Sequence, residues 1–253
     1  MKVIFDITRR KYASKESYQQ RIPFETEDCN ETVATALLKI NTAGIYYDED
    51  GKPVEQIQWE AGCLQKKCGA CAMLINGYPG LACDTFLWEL CGRKRIDGAT
   101  RRELRKPRRT PVVTLAPLSK FPVISDLVTD RSVMFSNLKT LQVWGLELAE
   151  IKEKDLDQAY DASRCLQCGC CLEACPNFYP GGAFCGAAGF APEARLLSTY
   201  SAEEKAQIQS LYRDHVYEGC GKSLACAKVC PAQLDLDRLM SRSNAAIIWR
   251  RKR

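Results

Sequence analysis

The chain has 253 residues, 46% of them hydrophobic and 26% charged, with a formal net charge of +5 and a pI near 8.4. This composition excludes a disordered chain or a fibrous repeat, and the length suits one large domain or two ordinary ones. Fifteen cysteines and one histidine are the unusual counts. Cysteine is too sparse, and the chain too long, for a secreted disulfide scaffold.

The N-terminal text, MKVIFDITRRKYASKESYQQ, alternates apolar residues with charges. It reads as a strand and lacks the apolar h-region of a signal peptide. Arg9 and Arg10 are adjacent, but no apolar segment follows, so they make a poor twin-arginine signal. No window approaches the roughly 18 uncharged apolar residues of a membrane span. The expected setting is therefore reducing, where clustered cysteines bind metals more often than they pair.

Val3, Phe5 and Ile7, then Ile22 and Phe24, predict a two-stranded hairpin. Apolar residues at helical spacing in Thr32–Ile40 predict a helix with Asn30 as its N-cap, ended by Asn41–Gly44. Residues 57–92 hold five cysteines among glycines, which suggests a ligand loop followed by a strand at Ala72–Ile75 and a turn at Asn76-Gly77. Residues 93–109 carry nine Lys or Arg against two acids, and Pro107, Pro111, Pro117 and Pro122 follow. The domain boundary is placed here, giving domains 1–110 and 111–253. From Ser125 onward the pattern is helical, as in SVMFSNLKTLQVW, DLDQAYDASRC, AEEKAQIQSLYRDHVYE and QLDLDRLMSRSNAAII.

Three cysteine motifs carry the chemistry. Cys63-x4-Cys68-x2-Cys71, with Cys83 beyond, is the plant-type [2Fe–2S] spacing. Gly69 lies between two ligands, where the backbone must approach inorganic sulfur. A zinc site is the alternative, but zinc sites usually repeat a short Cys pair, and here the second half is a lone Cys. Cys165-x2-Cys168-x2-Cys171-x3-Cys175-Pro176 is the bacterial ferredoxin run, in which the fourth Cys serves the other cluster. Its partner is Cys220-x5-Cys226-x3-Cys230-Pro231, with Ser223 in the middle slot. Crossing over assigns Cys165, Cys168, Cys171 and Cys230 to a [4Fe–4S] cluster. Cys175, Cys220 and Cys226 are left for a cubane lacking one ligand, hence [3Fe–4S]. Cys29, Cys91, Cys170 and Cys185 are read as spare or buried thiols. His215 alone cannot supply the paired histidines of a Rieske centre, a bis-histidine haem or a Cys2His2 finger, and is read as a surface or packing residue.

In these motifs and their order the chain resembles the iron–sulfur subunit of succinate dehydrogenase and fumarate reductase. The likeness runs through CLQKKCGAC with NGYPGLAC, FPVISDLVTDRSVMF, CLQCGCCLEACP and CGKSLACAKVCP. It implies an α+β fold: a β-grasp [2Fe–2S] ferredoxin domain, then an α-helical ferredoxin domain with two clusters. It implies an electron-transfer subunit with no substrate site of its own, relaying electrons between a flavoprotein subunit carrying FAD and a quinone in a membrane-anchor cytochrome b subunit with haem b. The complex would sit at the cytoplasmic face of the inner membrane, held there by its partners. The text GGAFCGAAGF is similar to members with a dihaem anchor, which often use menaquinone. Gly221 and Tyr179-Pro180 stand where many ubiquinone-type members have His and a Trp pair, so no quinone-binding residue is carried over; only Pro176 matches. Another flavin-dependent oxidoreductase is the nearest alternative. A zinc-stabilised nucleic-acid-binding protein is the alternative from another class, raised by the basic run 93–109; nucleic acid is not the expected partner. The basic tail from Trp249 to Arg253 is a candidate contact for anionic headgroups.

Overall fold

The computed structural model describes residues 1–91, 109–143, 156–197 and 200–249. Most of the basic run 93–109 and the tail residues 250–253 lie outside the described residues. The chain divides into two compact units, Met1–Thr129 and Asp130–Arg253.

The first unit is built on a five-stranded mixed sheet of order β2-β1-β5-β3-β4. The expected hairpin is β1 (Lys2–Arg9) against β2 (Tyr18–Glu25), antiparallel, with Phe5 opposite Ile22. Alternation sets the faces: Val3, Phe5, Ile7, Ile22 and Phe24 are all buried. Helix α1 (Val33–Thr42) follows and buries Val33, Ala36, Leu37 and Ile40. Its N-cap is Thr32, not Asn30. Thr32 Oγ1 accepts from the Thr35 N–H, and Thr35 Oγ1 accepts from the Thr32 N–H, a reciprocal capping box.

Strands β3 (Ala72–Ile75) and β4 (Tyr78–Leu81) form a second hairpin through Asn76 and Gly77, both with positive φ. A 3₁₀ turn, Ala82–Asp84, and the short helix α2 (Leu87–Leu90) follow. Strand β5 (Val112–Ala116) returns to the centre of the sheet, parallel to β1 and antiparallel to β3. The units therefore divide after Thr129, later than the boundary expected at 110/111, because β5 completes the first sheet. A small hairpin, β6 (Val123–Ser125) and β7 (Val128–Thr129), closes the unit where only helix was expected. Between its strands, Asp126 forms an ion pair with Arg9 at 3.1 Å, their side chains only 6% and 3% exposed. Asp126 also accepts from the backbone N–H groups of Arg10 and Gln58. This is the β-grasp arrangement.

The second unit is helical. In order it holds α3 (Ser132–Thr140), α4 (Leu156–Ser163), α5 (Cys170–Ala174), α6 (Gly186–Leu196), α7 (Ala202–Gln207), α8 (Gln209–Tyr212), a π-helical turn (Arg213–Tyr217), α9 (Ala225–Lys228) and α10 (Leu236–Ile247). Helix α6 is central: nine of its eleven residues are buried, and its neighbours include α3, α4, α5 and α10. Around it lie Leu141, Ala162, Tyr212, Val216, Leu239 and Ile247.

Candidate functional site

Three cysteine groups stand out, one in the first unit and two in the second. In the first unit the chain between Cys63 and Cys71 turns sharply, with positive φ at Leu64, Lys66 and Gly69. That path turns backbone donors inward. Gln65 and Lys67 donate to Cys63 Sγ at 3.3 and 3.2 Å, Lys66 to Cys83 Sγ at 3.3 Å, and Cys63 and Ala70 to Cys68 Sγ at 3.4 and 3.5 Å. The two N–H groups at Cys63 draw its thiol down to about 7. Burial pushes Cys71 up to about 12.

The β3–β4 hairpin supplies the fourth sulfur. Cys71 precedes β3, Cys83 follows β4, and the Ala82 N–H donates to the Cys71 carbonyl at 3.0 Å. Gly62, which the sequence reading passed over, sits tightly here: a Cβ at that position would lie 2.9 Å from Cys68 Sγ, and the sulfur would have to shift. Lys66 Nζ pairs with Asp84 Oδ2 at 2.6 Å and ties the loop to the 3₁₀ turn.

In the second unit Cys165, Cys168, Cys171 and Cys230 line one cavity of about 380 Å³, part of it open to solvent. Its floor is one face of α6, Ala187, Ala188 and Ala191, whose small side chains leave the room. Burial raises Cys165 and Cys171, and neighbouring thiols add to both shifts. Cys168 goes the other way. The Cys170 thiol hydrogen-bonds its sulfur and draws it down to about 7, while Cys170 itself is pushed up. Arg131 Nη1 donates to the Cys168 carbonyl at 3.3 Å, and its positive charge acts in the same direction on the thiol. Gln167 Nε2 donates to Cys165 Sγ at 3.3 Å and to the Ala188 carbonyl at 2.9 Å.

Cys175, Cys220 and Cys226 line a second cavity, also about 380 Å³, with Gly221, Lys222, Ser223, Leu224, Asn177, Phe190 and Met240. Ala187 belongs to both cavities, so α6 is their common wall. Lys222 and Leu224, on either side of Ser223, have positive φ. Ser223 Oγ accepts from the Ala225 N–H at 3.4 Å, beside the start of α9. Cys220 Sγ lies 3.4 Å from Met240 Sδ. Burial raises Cys226.

Every cysteine singled out from the spacing thus falls into one of three groups. Among the described residues no three His, Cys, Asp or Glu side chains close around a single metal ion; in the second unit the sulfurs line cavities instead. The donor chemistry suits a larger, sulfide-bridged group: thiols in apolar walls, with N–H donors aimed at the sulfurs. Of the remaining cysteines, Cys29 is exposed, Cys91 half-buried, and Cys170 and Cys185 buried. His215 is a packing residue: its Nδ1 lies 2.7 Å from the Ala183 carbonyl, and its own carbonyl accepts from the Cys185 N–H. Gln167 and Arg131 escaped the sequence reading. Neither left a local signal there, since Gln167 meets its acceptor 21 positions away and Arg131 its own 37 positions away.

Known proteins resemble the chain over most of its length. The family model described as a 2Fe-2S iron-sulfur cluster binding domain matches residues 4–136. The succinate dehydrogenase iron-sulfur subunit of Bacillus subtilis is 31% identical over 245 residues, 92% of this chain and 87% of the relative. The fumarate reductase iron-sulfur subunit of Wolinella succinogenes is 28% identical over 217 residues, 80% of each chain. A chain of the Mycobacterium smegmatis Sdh1 complex shares the fold, with a TM-score of 0.69 at 19% identity over 96% of both chains.

Proposed function

The chain belongs to the family of succinate dehydrogenase and fumarate reductase iron–sulfur subunits, and on that premise we propose the following assignment of its clusters, partners and location. It is the electron-transfer subunit of such a complex and works with a flavoprotein and a membrane anchor. Cys63, Cys68, Cys71 and Cys83 hold a [2Fe–2S] cluster; Cys165, Cys168, Cys171 and Cys230 hold a [4Fe–4S] cluster; Cys175, Cys220 and Cys226 hold a [3Fe–4S] cluster. When bound, these groups supply one-electron relay sites between a flavin and a quinone.

The observation that carries the reading is the exchange of the last cysteine between runs. Cys230 lies with Cys165, Cys168 and Cys171, and Cys175 lies with Cys220 and Cys226. No pairing of each run with itself produces that arrangement. The side chains around the sulfurs have definite tasks. Gln65, Lys66, Lys67 and Ala70 spread negative charge off the thiolates through their N–H groups. Ala187, Ala188 and Ala191 keep water thin on one wall while leaving room. Ser223 stands where a fourth thiolate would otherwise bind iron.

The flavin is taken to be FAD, and the anchor a cytochrome b with haem b; the GGAFCGAAGF text favours menaquinone. Among the described residues no helix is long and apolar enough to cross a membrane, so attachment to the cytoplasmic face of the inner membrane rests with the partners. Electron paramagnetic resonance of the complex copurified on a tag on this chain tests the assignment. The expected spectra are a three-iron signal in the oxidised sample, then two-iron and four-iron signals on stepwise reduction. Colourless protein containing zinc would overturn it.

A further inference from the structure

Helix α6 contains Pro192 in its interior. Proline has no N–H, so the carbonyl four residues earlier, that of Ala188, lacks its helical donor. A buried carbonyl left in that state is costly. Here it is satisfied from outside the helix: Gln167 Nε2 donates to Ala188 O at 2.9 Å. That bond fixes which way the carboxamide faces, because the opposite orientation would set two oxygens against each other. The amide nitrogen carries a second N–H, and Cys165 Sγ lies 3.3 Å from it. Gln167 itself is held with a φ of 49°, a left-handed conformation uncommon outside glycine.

These contacts form one chain of causes. Pro192 frees a carbonyl, the carbonyl orients an amide, and the amide presents a donor to a sulfur. We propose that Gln167 is a positioning residue that raises the reduction potential of the centre held by Cys165, Cys168, Cys171 and Cys230, through its side-chain N–H to the Cys165 sulfur. The inference rests on the assignment of those four cysteines to one [4Fe–4S] cluster. Reduction adds one electron and makes and breaks no bond. The added negative charge is spread over the sulfurs, so a donor at Cys165 favours the reduced form over the oxidised one. Hydrogen bonds to sulfur are among the features that set cluster potentials.

Replacing the amide with a thioether of similar length, Gln167→Met, removes the donor and keeps the bulk. The complex carrying this variant is titrated against redox mediators with dithionite, and each centre is followed by low-temperature electron paramagnetic resonance. At the wild-type midpoint of the four-iron centre, its reduced-to-oxidised ratio is expected to fall about tenfold, which is 59 mV for one electron. The two-iron and three-iron signals of the same sample serve as internal standards and stay in place. Gln167→Asn tolerates the left-handed backbone but is too short to span both acceptors; it moves the ratio in the same direction and carries the test if the Met variant loads poorly. A side chain that only capped Ala188 would lower thermal stability and leave the ratio unmoved. An unmoved four-iron midpoint in both variants overturns the inference. A wild type with no four-iron signal at all overturns the cluster assignment beneath it, and the two failures are told apart in the wild-type sample alone.

Discussion

In the proposed assignment, Ser223 is the residue on which the nature of the third centre turns. Its hydroxyl lies in the wall of the three-cysteine cavity and accepts from the Ala225 N–H. A hydroxyl is far less acidic than a thiol, so it is a poor anionic ligand for iron at neutral pH. Ser223→Cys should retain a fourth iron there. The oxidised wild type should then show a three-iron resonance that the variant loses, since an oxidised low-potential four-iron centre is silent. Glu193, on α6, is a different anomaly. It is 1% exposed, and among the described residues neither carboxylate oxygen has a hydrogen-bond partner. Burial pushes its carboxyl up from 4.5 to about 8. The groups that feel its charge are Cys185, Tyr200 and Tyr212, each pushed up first by burial and further by Glu193. The folded chain keeps this proton between pH 4.5 and about 8 where the unfolded chain releases it. The stabilisation is therefore complete below the unfolded value and is lost as pH rises through about 8, at about 1.4 kcal/mol per pH unit. Glu193→Gln should flatten that decline and add on the order of 4 kcal/mol at pH 8. Thermal midpoints measured at one scan rate from pH 5 to 9 check it; parallel curves for wild type and variant would refute it.

At the scale of elements, the first helix shows how local chemistry sets a boundary. Thr32 and Thr35 satisfy each other's backbone donors, and Asn30, two residues earlier, donates its N–H to Asp28 Oδ1 in the preceding turn. Thr32→Ala removes one half of the box and should cost about 1 kcal/mol. A chemical-denaturation midpoint that does not move would show that packing of Val33, Ala36 and Leu37 carries the helix alone. The elements also mark what the sequence could reveal. The strand at Ala72–Ile75 and the turn at Asn76-Gly77 were legible, because turn chemistry is local. Strand β5 was not, since its partners β1 and β3 lie far back in the chain and Pro107 and Pro111 before it read as a linker. The small β6–β7 hairpin was hidden for a similar reason: Asp126 belongs there because Arg9 is buried against it, a pairing no periodicity announces. Gln167 was hidden because its acceptor, Ala188, is 21 positions away. Glu193 was hidden because an acid on a helix is ordinarily a solvated one.

At the scale of the whole chain, the two cavities of the second unit share their walls and exchange their last cysteines. Neither is complete until both runs exist, which gives the molecule a direction in time. As the chain leaves the ribosome, the loop ending at Cys83 has all its sulfurs long before the helical unit does. The four-cysteine cavity has three sulfurs from residue 171 onward and waits for Cys230; its neighbour holds Cys175 and waits for Cys220 and Cys226. With the proposed ligands, the helical unit should therefore load both of its clusters in one late step. A chain stopped after Gly219 should keep the two-iron signal and lose both of the others together. Survival of either alone would show that one run can close a site without the other.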